Sequence, residues 1–126
     1  MKGKTTETGD DEMTSTQGVQ TILHPVTDLE KAKPVYAALL GVEPIADSPY
    51  YVGFEAAGQQ IGLVPNSDMT APVAHWHVTD IEERIKAIVE AGGTVKSPPK
   101  DVSNGRLVAT VTDPDGNVLG LLQDPS

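Results

Sequence analysis

Strand-like and helix-like spacings of apolar residues alternate along the chain. Residues 19–25 are rich in β-branched residues and read as a strand. Asp28 then fits a helix N-cap, followed by Leu29, Ala32, Tyr36, Leu39 and Leu40 at helical spacing. Pro34 interrupts this run and costs roughly 3 kcal/mol in a true helix interior. It implies a loose first turn or a regular helix that starts near Pro34. Gly41 stops the helix. Short strands follow at 43–46, 50–55 and 60–64, with Ala57-Gly58 as the turn between the last two. Residues 65–72 carry Pro, Asn, Ser and Asp and read as a linker.

The pattern then repeats. Residues 73–78 form a strand, and Asp80 caps a helix with Glu83 at the capping-box position. Ile81, Ile85, Ile88 and Val89 give that helix its apolar stripe, and Gly92-Gly93 ends it. Strands at 94–96, 106–112 and 117–122 complete the chain. Asp113-Pro114-Asp115-Gly116-Asn117 is a tight turn ahead of the last strand.

The halves match in residues as well as in pattern. Val26-Thr27-Asp28-Leu29-Glu30 aligns with Val78-Thr79-Asp80-Ile81-Glu82 at an offset of 52 positions, Val26 to Val78. The offset persists from Gly41 to Gly93. Gln60-Ile61-Gly62-Leu63-Val64 aligns with Val118-Leu119-Gly120-Leu121-Leu122 at an offset of 58, Gly62 to Gly120, which puts six extra residues near 98–105. The chain is therefore a tandem duplication of a β-α-β-β-β unit. One unit cannot cover its own sheet face. The expected fold is α+β, with the two repeats forming a curved, cup-like mixed sheet and the helices outside. Repeat one spans 19–65, the linker 66–72 and repeat two 73–123. Residues 1–18 are polar and are expected to form a disordered tail.

Composition narrows the chemistry. There is no cysteine among the 126 residues, which removes disulfides, thiolate metal sites and cysteine nucleophiles. Nine basic against 18 acidic residues, net −9, argue against nucleic acid or anionic membrane as partners. No apolar run is long enough to span a membrane and no signal peptide is evident, so a cytoplasmic location is expected. Phosphate-cradling Gly motifs and a G-x-S-x-G elbow are also absent.

Three segments in order, VTDLEKA…Y…LLGV, VTDIEERI…AGG and the closing DPDGN strand, resemble the vicinal oxygen chelate superfamily of glyoxalases, extradiol dioxygenases and bleomycin-resistance proteins. The resemblance covers roughly residues 19–123 and implies a homodimer. In the metal enzymes of that superfamily, His, Glu or Gln ligands come from the first and fourth strands of each repeat. By spacing to the VTD and DPDGN segments, those positions fall here at Thr21, Gly62, Val73 and Gly120, none a competent ligand. No metal site of the usual kind is expected.

What remains is a site for a small molecule. Its wall is expected to include Thr21, Leu23, Gly62, Val73, His75, His77 and Gly120, mostly apolar with a few polar groups. The two glycines would leave room for a flat ligand. Tyr50 and Tyr51 are consecutive, so one faces inward and could stack on an aromatic, with Tyr51 taken as that residue. His75 and His77 share the parity of Val73, whereas His24 shares that of Trp76 and should lie under a helix. Metal-independent binding of a small, largely apolar or aromatic molecule is the leading reading, without a cofactor. The alternative is a glyoxalase-type lyase or dioxygenase with one divalent ion on relocated ligands, His75 and His77, joined by Gln60 or Glu55. A metal-free enzyme would use His77 as general base, with Glu55, Asp101 and Arg106 as candidate partners.

Overall fold

The computed structural model describes residues 16–125. The fold is α+β, and the described residues form eight strands in parallel and antiparallel pairs and two helices. The chain divides into two compact units, Val19–His75 and Trp76 onward, the latter together with the segment ending at Gly18. Among the described residues, no helix is long and apolar enough to cross a membrane. The expected polar tail falls mainly outside the described residues.

The first unit runs β1 (Val19–Val26), α1 (Leu29–Leu40), β2 (Ala46–Ser48), β3 (Tyr51–Ala56) and β4 (Gln59–Pro65). Its strands lie in the order β2-β3-β4-β1. β1 and β4 pair in parallel, Leu23 opposite Gly62, as the helical crossover between them allows. β3 and β4 pair antiparallel across Ala57 and Gly58, whose φ angles of 53° and 77° make the tight hairpin turn.

The helix does not start near Pro34, nor is its first turn loose. Asp28 Oδ1 accepts from the amides of Glu30 (3.0 Å) and Lys31 (3.3 Å), and Ala32 N–H donates to Asp28 O at 3.0 Å. The cap holds the first turn, and Pro34 lies inside the helix. Pro34 and Glu30, whose carbonyl loses its helical donor, are both exposed, so the defect opens on water rather than protein. Gly41, at φ 73°, closes the helix. Leu29, Ala32, Tyr36 and Leu40 of α1 pack with Val52, Phe54 and Leu63 into one core cluster, which Val26 and Ile61 extend, whereas Leu39, expected in the same stripe, turns to solvent. β2 begins at Ala46 rather than at 43, because Ser48 Oγ organises the turn: it accepts from the amides of Tyr50 and Tyr51 and so sets the pairing with β3.

In the second unit come α2 (Ile81–Glu90), β6 (Thr94–Ser103), β7 (Arg106–Thr112) and β8 (Val118–Gln123), with β5 (Val73–His77) running across the boundary between the units. Asp80 caps α2 at backbone angles close to those of Asp28 at α1, and accepts from the Glu83 amide at 3.1 Å. Gln123 Oε1 accepts from the Ile81 amide at 2.7 Å, a second cap supplied by the end of β8. Val78, Ile81, Ile85, Ala109, Val111 and Leu121 form the core cluster of this unit. β6 is ten residues long where three were expected. The extra residues prolong a hairpin closed at Asn104-Gly105 (φ 49° and 93°), and the register shifts past Pro98 and Pro99 suit a strand at the end of the order β8-β7-β6. The DPDGN turn is closed by Asp113, whose Oδ1 accepts from the amides of Asp115 and Asn117, both at 2.9 Å. The hydrogen bond from the Asn117 side chain, followed by those from the amides, holds the Asp113 carboxyl below its ordinary pKa.

Candidate functional site

In each unit the helix covers one sheet face, and the expected site residues belong to the other. In the first unit, Val52, Phe54, Ile61 and Leu63 point to α1, so alternation puts Tyr51, Gly53, Gln60 and Gly62 on the opposite face. Gly53 and Gly62 are direct cross-strand partners there. The ring of Tyr51 lies over both. A Cβ at Gly53 would stand 2.9 Å from Tyr51 Cε2. One at Gly62 would meet Tyr51 Oη, with Leu23 Cδ2 at 2.7 Å and Tyr51 Cε1 at 2.8 Å. The space above Gly62 is thus taken by Tyr51 and Leu23. Tyr50 points away and is 81% exposed. Next along β1, Thr21 is 1% exposed and its Oγ1 donates to Gln60 Oε1 at 3.2 Å. His24 lies on the helix face, where its Nδ1 is 3.0 Å from Tyr36 Oη.

On β5, burial alternates: Val73, His75 and His77 are buried, Ala74 and Trp76 less so. His75 Nδ1 donates to Val73 O at 3.0 Å; a carbonyl only accepts, so the proton sits on Nδ1. Trp76 and Val78 pack with the α2 cluster, so His77 is on the face away from α2. Its backbone is pinned: its amide donates to Gly18 O at 2.9 Å, and its carbonyl accepts from Gln17 N–H at 2.8 Å and from Thr16 Oγ1 at 3.1 Å. Its Nδ1 lies 3.4 Å from Asp124 Oδ2. Asp124 Oδ1 in turn lies 3.0 Å from Arg106 Nε, an ion pair whose N–H is not aligned for a hydrogen bond.

Of the three candidate partners of His77, Arg106 is connected to it through Asp124. Asp101 is spent on the β6–β7 hairpin, where its carboxylate accepts from the Gly105 amide. Glu55 is exposed, on β3 of the other unit. Asp124 was missed in the sequence because it follows the last strand, in a stretch with no motif. The repeat of charged residues facing one imidazole exists only once β8 and β7 are paired. Thr110 was missed as well. It pairs with Gly120 across β7 and β8, and its buried Oγ1 has no hydrogen-bond partner.

Burial lowers the pKa of His77; Asp124 pulls it up and Arg106 pushes it further down. Burial lowers that of His24 too. The unfolded chain takes up protons at these rings as the pH drops through 6.5, whereas the folded chain does so only at lower pH. Stability is therefore full above 6.5 and is lost as the pH falls from there through the lowered values. Denaturant midpoints measured from roughly pH 8 to pH 5 should fall, and His77→Gln should flatten part of that slope. A midpoint independent of pH would contradict the neutral, buried state of these rings.

The positions Thr21, Gly62, Val73 and Gly120 offer no imidazole or carboxylate, and among the described residues no three His, Cys, Asp or Glu side chains group as metal ligands do. The residues present do not fit a metal of the superfamily's usual kind.

Comparison with known proteins agrees with the fold. Residues 18–121 match the family model of the Glyoxalase/Bleomycin resistance protein/Dioxygenase superfamily. No curated protein matches the chain. Among solved structures, methylmalonyl-CoA epimerase from Mycobacterium tuberculosis superposes with a TM-score of 0.71 at 15% identity, over 88% of this chain and 90% of that one. The Mn(II)-bound glyoxalase from Novosphingobium aromaticivorans gives 0.67 at 21% identity, over 88% of this chain and 40% of that one. A superfamily member from Vibrio splendidus gives 0.62 at 18% identity, over 88% and 100%. At these identities the likeness is one of fold. The match over residues 18–121 makes this chain a member of the glyoxalase/bleomycin resistance protein/dioxygenase superfamily.

Proposed function

We propose that the chain binds a small, largely apolar or aromatic molecule on the sheet faces turned away from its helices, without a metal ion. The observation that carries this reading is the residue set at the superfamily's ligand positions: Thr21, Gly62, Val73 and Gly120. Leu23, Tyr51 and Val73 supply apolar surface, and Thr21, His75 and His77 supply orientation. We place the protein in the cytoplasm, as a homodimer.

Elemental mass spectrometry after soaking with Zn, Ni, Mn or Fe(II) and desalting tests the metal-free part. Substoichiometric metal is expected in every case. A thermal-shift screen of small aromatics should then find a binder that His75→Ala or His77→Ala weakens. One retained ion per chain, lost in the His75→Ala/His77→Ala double variant, would overturn the reading.

That outcome would favour a glyoxalase-type lyase or dioxygenase with relocated ligands, and one observation speaks for it. His75 and His77 both have Nδ1 against an oxygen acceptor, Val73 O and Asp124 Oδ2. Metal-bound histidines are commonly held in this way, with the other nitrogen on the metal.

A further inference from the structure

In the second unit, Trp76, Ile88 and Leu119 pack against the core cluster yet stay only partly buried. Together with Leu121 they line a groove of about 230 Å3, in which Thr16 and Arg84 are the polar members. We propose that this groove is a second binding site, for a small aromatic carboxylate. Trp76 and the aliphatic side chains take the ring, and Arg84 takes the carboxylate. The groove is on the α2 side of the sheet, whereas the binding reading above uses the other side, so the two stand or fall separately.

The duplication explains why the groove exists. At the offset of 52, Trp76 and Ile88 stand where the first unit has His24 and Tyr36. There, Tyr36 Oη lies 3.0 Å from His24 Nδ1, and the two rings meet edge to face with centroids 5.1 Å apart. An aromatic pair thus closes the space between helix and strand in the first unit. Ile88 has no ring to lay against Trp76, and the indole is left as groove wall. The same offset puts Arg84 where the first unit has Ala32, which packs into that unit's core. The second repeat has therefore exchanged a ring for a void and an alanine for a guanidinium.

Charge and size then select the ligand. Thr16 Oγ1 is already used, donating to His77 O and accepting from the Gly18 amide. The Arg84 side chain makes no ion pair among the described residues, although acidic residues outnumber basic ones 18 to 9. A guanidinium is the side chain best shaped to hold a carboxylate, through two parallel N–H···O bonds. Arg84 is half-buried beside an apolar wall, where such bonds are stronger than at an open surface. The groove is smaller than the roughly 300 Å3 at which pockets for drug-sized ligands begin, so it suits one ring and not a fused system. An aromatic ring gains more than an aliphatic chain of that size, because it can stack on the indole.

Trp76 is the chain's one tryptophan, so its indole N–H resonance reports on the groove in the full chain. Benzoate and the uncharged benzyl alcohol are titrated against it at neutral pH. Benzoate should move the signal saturably and bind about tenfold tighter than benzyl alcohol, as hydrogen bonds to a charged group allow. Arg84→Gln should erase that preference and leave benzyl alcohol binding in place. Ile88→Tyr, which restores the first unit's residue, should abolish binding of both probes; if that variant does not fold, Arg84→Gln still decides. No saturable shift with benzoate, equal binding of the two probes, or a preference that survives Arg84→Gln overturns the proposal. A Trp76 signal that moves with protein concentration, or in Met13→Ala, with no probe present gives the groove to a second copy or to the chain ahead of Thr16, and overturns it as well.

Discussion

Placing the superfamily's carboxylate ligand into the first repeat, as Gly62→Glu, is expected to destabilise the protein by about 3 kcal/mol or more and to recruit no metal ion. The reason is local. The Cβ alone would collide with Tyr51 Oη and stand 2.7 Å from Leu23 Cδ2, and the carboxylate beyond it would be driven into a site closed by these two side chains. Nothing cationic is among the atoms nearest Gly62. Urea denaturation measures the loss. Gly62→Ala isolates the steric part and should cost about 1–3 kcal/mol, the usual penalty for overpacking. Tyr51→Ala in the same chain should recover part of it, because both atoms of the ring would be gone; the double-mutant cycle gives the coupling. If Gly62→Glu keeps wild-type stability, Tyr51 does not own the space above Gly62, and that face is open to a ligand as it stands.

Phe54→Ala is expected to cost about 3–5 kcal/mol, the range for deleting a buried phenyl ring. Phe54 is 1% exposed, lies opposite Ile61 on β4, and shares its core cluster with Leu29, Val52 and Leu63. Since domains of this kind are stable by only about 5–15 kcal/mol in all, the variant should unfold at markedly lower denaturant. A loss below about 1 kcal/mol would mean that the packing of α1 on the sheet is not as tight as described. The two predictions probe opposite faces of the same strands: the alternation that sends Phe54 to the helix sends Gly53 and Tyr51 away from it.

Much of this architecture is written in short-range signals. The duplicated VTD segments, the Asp caps and the Gly stops specify two helices because a cap needs only the three residues after it. The DPDGN turn is equally local, since one carboxylate collects both amides that close it. Alternation along β5 separates His75 and His77 from Trp76 for the same reason. The strand ends were less legible. β2 was displaced by the Ser48 turn, and β6 was lengthened by an insertion whose prolines are tolerated only at the end of a sheet.

The site divides along the same line. The four positions read from internal spacing, Thr21, Gly62, Val73 and Gly120, are an expectation of the sequence, since a repeat carries its own ruler. What stands over Gly62 is not. That Tyr51 rather than Tyr50 turns inward, and that its ring covers two glycines on different strands, depends on the pairing of β3 with β4. That Asp124 and Arg106 meet at His77 depends on bringing together three segments far apart in the chain. Sequence by itself determined the repeats and the caps, because each is set within a few residues or by the duplication. Only the tertiary structure decided which side chains stand over Gly53 and Gly62 and which charges reach the histidine, because contacts between distant strands have no local signature.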